Sequence, residues 1–472
     1  MTADTFSQWL DHSPDLPGLI GVFPNQFPYL LESSDRGAPG SHSLLLFAGD
    51  EVLVLDADGG VSGPGTGDSF FERLESWYQS ERTGFRETDI PFTGGWFVYL
   101  GYEMAAEIES TLDLPPNRTG MPGAIAHRCR GAIIIFHDPQ DPALDQTLAV
   151  AESNAVLAQI IACIDRGPVH AGNAGVGELS SLDEEDPQRY KASVSRIHDY
   201  LLAGDVFQVN ISRSWSGAFC SDADPLALYQ SLQQFNPAPF AGLLRWQDSV
   251  ILSSSPERLV QIRDGNIQTR PIAGTRPRGA NTGQDQALSD ELIGNLKERA
   301  EHIMLIDLER NDLGRVCKSG TVEVNELMVV ESFAHVHHIV SNVRGELLDD
   351  ASPIDAIRAV FPGGTITGCP KVRCMEIIAE LEGGGRGYYT GSMGYLGRDG
   401  SMDMNILIRS MLVQGRHFQF RTGGGIVADS VADHEVRETR DKARGMLMAV
   451  ESHGMRVNAG EGQGEKTCLN AW

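Results

Sequence analysis

Two pairs of glutamates, Glu298 with Glu301 and Glu435 with Glu438, carry the clearest chemical signal in the chain. Each pair is spaced i, i+3 in a stretch that reads as helix, so both carboxylates fall on one face. Like charges this close repel, and a hard divalent cation relieves the repulsion. Mg2+ takes oxygen ligands, keeps several waters, and is shared between one or two carboxylates and an anionic substrate. One isolated Glu-x-x-Glu reads equally as a solvated helix face, since exposed glutamate is the default. The first stretch, however, is apolar on more than one side (Leu292, Leu296, Ile303, Met304, Leu305, Ile306), which predicts a buried helix. Carboxylates on a buried helix need partners, and a shared cation is one.

Other reactive residue types surround these pairs in sequence. Arg421-Thr-Gly-Gly-Gly-Ile-Val-Ala-Asp429 places three glycines directly after a predicted strand, which reads as a turn with uncovered N–H groups that an anion can approach. Ser430 and Asp433 resemble a capping box opening a last helix over 431–451, with Val436, Ala443, Leu447 and Val450 as its apolar stripe and Glu435, Glu438 and Lys442 on another face. His335, His337 and His338 lie within four residues, and the Pro and Gly breaks around Thr365 and Thr367 describe a tight loop presenting hydroxyls.

The elements that must position these residues fall into two regions. Residues 1–165 alternate short apolar runs with turns, with strands expected at 43–47, 51–55, 95–100 and 131–136; residues 166–186 read as a linker. From 187 to 455 the pattern predicts a helix at 190–203, strands at 205–213, 241–245, 249–253, 258–262, 266–270, 391–396, 404–412 and 417–421, and long helices near 285–310 and 353–360. Residues 456–472 read as a disordered tail. Strand runs interspersed with helices, without regular strand-helix-strand alternation, predict an α+β protein with antiparallel sheets.

Composition bounds the function. The chain has 472 residues, 41% hydrophobic and 22% charged, and a net charge of -26. Such acidity argues against nucleic acid as a partner, and it makes an anionic substrate awkward unless a metal and local arginines reverse the field. The longest apolar run, Ala132 to Phe136, is far too short to span a membrane, and no secretory signal is visible at the start. Seven scattered cysteines without a Cys-x-x-Cys fit reduced thiols in a cytoplasm, with Cys369 and Cys374 expected as packing residues.

Taken together, Ser255-Pro-Glu-Arg258, Arg270-Pro-Ile-Ala-Gly-Thr-Arg276, Glu298-Arg-Ala-Glu-His302, Asp307-Leu-Glu-Arg-Asn-Asp-Leu313, Gly363-Gly-Thr-Ile-Thr-Gly-Cys-Pro-Lys371 and Gly423-Gly-Gly-Ile-Val-Ala-Asp-Ser430 resemble the chorismate-utilising enzymes. That family includes component I of anthranilate synthase and of aminodeoxychorismate synthase, and the isochorismate and salicylate synthases. The resemblance covers roughly residues 185–452. It implies an anthranilate synthase component I-like fold, with antiparallel sheets and helices layered in two subdomains, and chorismate held with Mg2+ between two glutamate-bearing helices. It further implies Glu301 and Glu438 as direct metal ligands, with Glu298 and Glu435 holding waters or standing behind the direct ligands. Glu257 resembles the general acid that protonates the departing C4 hydroxyl, and His338 the histidine lining the ring pocket. Tyr389, Arg409 and Gly423, Gly424 and Gly425 resemble the carboxylate binders, with Thr365 and Lys442 as secondary contacts. The N-terminal Tyr29-Leu-Leu-Glu-Ser33 resembles a tryptophan pocket, formed here by Leu31, Glu32 and Ser33.

Two positions bear on the reaction. Where water-adding members carry a lysine, this chain has Gln208, whose amide is no base near neutral pH, so the resemblance implies an ammonia-dependent member rather than an isomerase. Most motifs resemble the aminodeoxychorismate synthases, but Ala273 in Pro-Ile-Ala-Gly-Thr resembles the anthranilate synthases. No Gly-x-Cys-x-Gly elbow is present, so the expected ammonia source is a separate glutamine amidotransferase subunit.

Overall fold

Alternating apolar runs become strands and the 3.6-residue patterns become helices, and both kinds of element are contributed by the two halves of the chain to shared cores. The computed structural model describes residues 5–33, 42–84, 89–167, 176–279, 281–332 and 336–452; the expected tail and His335 lie outside them. The strands join in one hydrogen-bonded network of antiparallel pairs, consistent with the α+β expectation.

The N-terminal stretch does not close a sheet by itself. Its strand Tyr29–Glu32 pairs with Phe240–Trp246, and Gly95–Leu100 pairs with Ser392–Gly397. The cores are likewise shared. Phe70, Phe71 and Trp96 pack with Leu259, Ile354 and Met404, while Leu30, Leu45 and Ile133 pack with Leu243, Phe420 and Ala449.

Several local expectations are corrected. The stretch read as a linker contains the strand Leu179–Glu184, paired with Gln208–Phe219. Its polar residues misled because it lies on the sheet margin, where most of its side chains face water and only Leu179 and Leu182 pack inward. The helix expected over 285–310 is two helices, Thr282–Gly294 and Leu296–Leu313. They are broken at Asn295, which is extended and whose side chain accepts a hydrogen bond from the Glu298 N–H at 3.2 Å, restarting the helix. The strand expected over 404–412 is two strands, Met402–Ile406 and Ser410–Gln414, with Arg409 between them at φ 50°.

The three glycines are not a turn. They lie inside the strand His417–Ile426, with Gly423 opposite Ser212, Gly424 opposite Ile211 and Gly425 opposite Asn210. The last helix, Ala432–Glu451, starts from Val431 without a side-chain cap, and Ser430 Oγ accepts instead from the Val427 N–H at 3.1 Å. That helix packs on the glycine strand and on the helices Pro187–Ala203 and Pro225–Phe235, and Leu296–Leu313 packs on the strands Ile272–Pro277 and Val336–Glu346. Among the described residues, no helix is long and apolar enough to cross a membrane.

Candidate active site

Glu257 occupies the bend between the strands Ser249–Ser255 and Arg258–Arg263, and it is held there by backbone bonds. Ser255 Oγ accepts from the Glu257 N–H at 3.2 Å and the Glu257 carbonyl accepts from the Ile406 N–H at 3.0 Å. Next to it Arg258 grips Asp403 with two bonds of 2.9 Å. The Glu257 carboxyl is buried, and burial pushes its pKa up to about 7 against the opposing pull of the Thr365 hydroxyl and the Lys442 charge. A carboxyl in that state can deliver a proton near neutral pH. Thr365 Oγ1 is itself buried without a well-formed hydrogen bond, so it stays available to a ligand beside Glu257.

The last helix and the glycine strand form one wall. A Cβ built on Gly424 would stand 3.3 Å from Glu435 Oε2 and 3.7 Å from Glu438 Oε1, and one on Gly425 would collide with the Gln208 side chain at 2.2 Å. The glycines are therefore needed for close approach of side chains from other elements, not for a turn. Lys442 Nζ bonds Glu438 Oε1 at 2.7 Å and the Gly423 carbonyl at 2.9 Å.

Glu298 and Glu301 come from the helix Leu296–Leu313, and His338 from the strand Val336–Glu346 packed on it. Glu298 meets Arg276 at 3.3 Å and comes within 2.9 Å of a Cβ built on Gly274, whose φ of 66° requires glycine. The Gly274 carbonyl accepts from His338 Nδ1 at 3.3 Å, which puts the proton on Nδ1. Burial pulls the His338 pKa down to about 4, with the Arg409 and His337 charges adding to the effect, so the ring is neutral at pH 7. Glu301 sits one turn beyond Glu298, partly buried. Neighbouring His337 instead bridges Ser332 and Asp285 at 2.8 and 2.9 Å, a structural tie.

Arg409 lies within electrostatic reach of His338 and also of Glu438 and Tyr389. Its φ of 50°, at a position expected as plain strand, breaks the strand there. Tyr389 lies between two guanidiniums, 5.6 Å from Arg386 and 6.0 Å from Arg421, with its hydroxyl 3.0 Å from a Cβ built on Gly423. Burial pushes its pKa up to about 12, so it stays a hydrogen-bond donor. The donor set of four carboxylates in two pairs fits a hard cation such as Mg2+. Among the described residues no three His, Cys, Asp or Glu side chains converge tightly enough to enclose one, so waters or substrate oxygens would have to complete its shell.

Sequence reasoning missed several residues here. Glu382, buried, takes Arg386 and Arg421 at 2.8 Å each and the Ser212 hydroxyl at 2.8 Å, fixing both cations beside Tyr389. The helix ends at Glu382 with Gly383 left-handed, so the pairing with Arg386 left no helical spacing to read in the sequence. Glu103, from the N-terminal half, accepts from the Arg386 and Gly387 N–H groups at 2.6 and 3.1 Å, a pairing with no local signature. Glu309 is buried against Gly364, and burial together with the Asp312 charge pushes its pKa up to about 8. Leu31, Glu32 and Ser33 lie apart from this cleft, where Glu32 accepts from Tyr229 at 2.9 Å and from Gln233 on the helix Pro225–Phe235.

Fold and cleft together define an α+β enzyme of the anthranilate synthase component I architecture. The crystal structure of anthranilate synthase component I from Streptococcus pneumoniae superposes with a TM-score of 0.75 at 29% identity, over 87% of this chain and 92% of that one. The chain belongs to the chorismate binding enzyme family, whose pattern matches residues 46–448, and is an enzyme that uses chorismate. Among its relatives, aminodeoxychorismate synthase component 1 of Bacillus subtilis is 50% identical over 413 residues, covering 85% of this chain and 84% of its own. An anthranilate synthase component I-like protein of Synechocystis is 41% identical over 365 residues, covering 77% and 74%.

Proposed function

We propose that the chain is component I of an aminodeoxychorismate synthase, which converts chorismate and ammonia to 4-amino-4-deoxychorismate and water. The observation that carries this reading is the 50% identity to the Bacillus subtilis aminodeoxychorismate synthase component across most of both chains. Ammonia would come from a glutamine amidotransferase subunit, because the sequence holds no glutaminase elbow.

The chain's own residues divide the work as follows. Arg409, Tyr389 and Lys442 with the Gly423–Gly425 strand bind the carboxylates of the substrate and orient its ring. Glu257 gives its proton to the C4 oxygen as the C–O bond breaks, so that the leaving group departs as water. His338, neutral, lines the ring face. Gln208 cannot deprotonate water, so ammonia, which needs no base to attack, is the nucleophile. Glu301 and Glu438, with Glu298 and Glu435 behind them, would hold Mg2+. The ion supplies counter-charge to the substrate carboxylate when bound.

Ala273 favours a second reading. It lies in the strand Ile272–Pro277, beside the Gly274 that contacts His338, and it offers no amine to the ring. The second reading is anthranilate synthase component I. Incubation with chorismate, Mg2+ and ammonium separates the two by chromatography. An amino product that keeps its enolpyruvyl group, and yields 4-aminobenzoate once a lyase is added, is the expected result. Anthranilate with pyruvate would overturn it in favour of the second reading, and isochorismate would overturn both.

A further inference from the structure

Tyr190 stands in the first turn of the helix Pro187–Ala203 and is 3% exposed. Its hydroxyl is buried without a hydrogen-bond partner. Leaving such a group unpaired is costly, so this phenol is open to a ligand that completes the bond.

Gly424 defines the space that the phenol faces. A methyl group on Gly424 would lie 3.7 Å from Tyr190 Oη, 3.3 Å from Glu435 Oε2 and 3.7 Å from Glu438 Oε1. Three oxygens from two helices thus surround one point beside a strand that carries no side chain there. Lys442, bonded to Glu438 Oε1 and to the Gly423 carbonyl, closes the adjacent side. A phenol hydroxyl both donates and accepts, so it can serve either side of a bound water.

We infer that Tyr190 is a positioning residue for a hydrated divalent cation, its hydroxyl bonding the water shell of an ion held by Glu438 with Glu435 behind it. The inference rests on the proposed cation-binding role of those glutamates. A phenol is a poor ligand for Mg2+ itself, whereas bound waters are strong donors that need oriented acceptors. Residues in that outer position typically change metal affinity by about 10–100-fold when removed.

Calorimetric titration of Mg2+ alone into the substrate-free full chain tests this, alongside the Mg2+ concentration giving half-maximal turnover of chorismate. Tyr190→Phe removes only the hydroxyl, and Gly424→Ala fills the point that the three oxygens surround. Both variants are expected to weaken Mg2+ binding at least about 10-fold and to raise the half-activating concentration in step, with the melting temperature of Tyr190→Phe within a few degrees of the parent. Unchanged Mg2+ affinity in Tyr190→Phe, with the parent chain binding normally, would overturn the role of Tyr190 and leave the cation reading intact. A parent chain that binds no Mg2+ would overturn both.

Discussion

Glu257 is the residue whose environment says most about chemistry. Buried next to Thr365 and within reach of Lys442, it titrates near pH 7, and the protonated form is the one a general acid needs. Rate should therefore be flat below about pH 7 and fall about tenfold per pH unit above it. Glu257→Gln, which keeps shape but loses the acid, should lower kcat by about 10^2–10^4-fold and flatten that alkaline limb. A pH series of kcat for both proteins decides this; an unchanged limb in the variant would assign it to another group. Serine, proline and glutamate in order marked Glu257 in the sequence, but the burial that tunes it comes from residues more than a hundred positions away.

At the scale of elements, the helix Lys371–Glu382 and the strands Gln208–Phe219 and His417–Ile426 meet at Glu382. Its carboxylate is buried yet held below the ordinary range, because the Arg386 and Arg421 charges outweigh the cost of burial. A depressed folded-state pKa gives stability that is present above the ordinary glutamate value and is lost as pH falls through the folded value. Glu382→Ala leaves two cations without their counter-charge, one fully buried, and should cost about 3–5 kcal/mol in urea unfolding at pH 7. A loss under about 1 kcal/mol would show that the network is replaceable. The helix Lys371–Glu382, closed by Gly383 at φ 64°, was not among those expected from sequence, whereas Pro187–Ala203 and Pro353–Val360 were legible from periodicity. The break at Arg409 and the burial of Glu382 were not, because neither leaves a mark in local pattern.

For the whole molecule, the decisive fact is that the run of N-terminal strands is flanked at both ends by C-terminal strands in the same network. A fragment starting at residue 187 would expose the free edges of Phe240–Trp246 and Ser392–Gly397, together with the apolar faces that cover Trp96 and Leu45 in the full chain. It should aggregate; a monomeric, cooperatively melting fragment by size exclusion and calorimetry would contradict the interleaved architecture. The Leu31–Ser33 segment belongs to this scale too, because Glu32 ties the N-terminal strand to the helix Pro225–Phe235, and Asn236 just beyond that helix meets Arg409 at 3.4 Å. If tryptophan fills a pocket there, saturating tryptophan should raise the melting temperature by a few degrees; an unchanged curve would count against such a pocket.

Glu257 was singled out only through the motif resemblance, whereas residue type and short-range spacing determined the α+β class, many strands, several helices and the two glutamate pairs. Each of these is written in neighbours a few positions apart, where periodicity and turn chemistry act. Only the tertiary structure decided that the glycines form a strand wall and not a turn, that Arg409 breaks its strand, that Tyr190 faces the carboxylates unpaired, and that Glu103 and Glu382 hold the Tyr389 side. Those features depend on which distant segments exclude water from one another, and burial of that kind has no signature along the chain until the chain is folded.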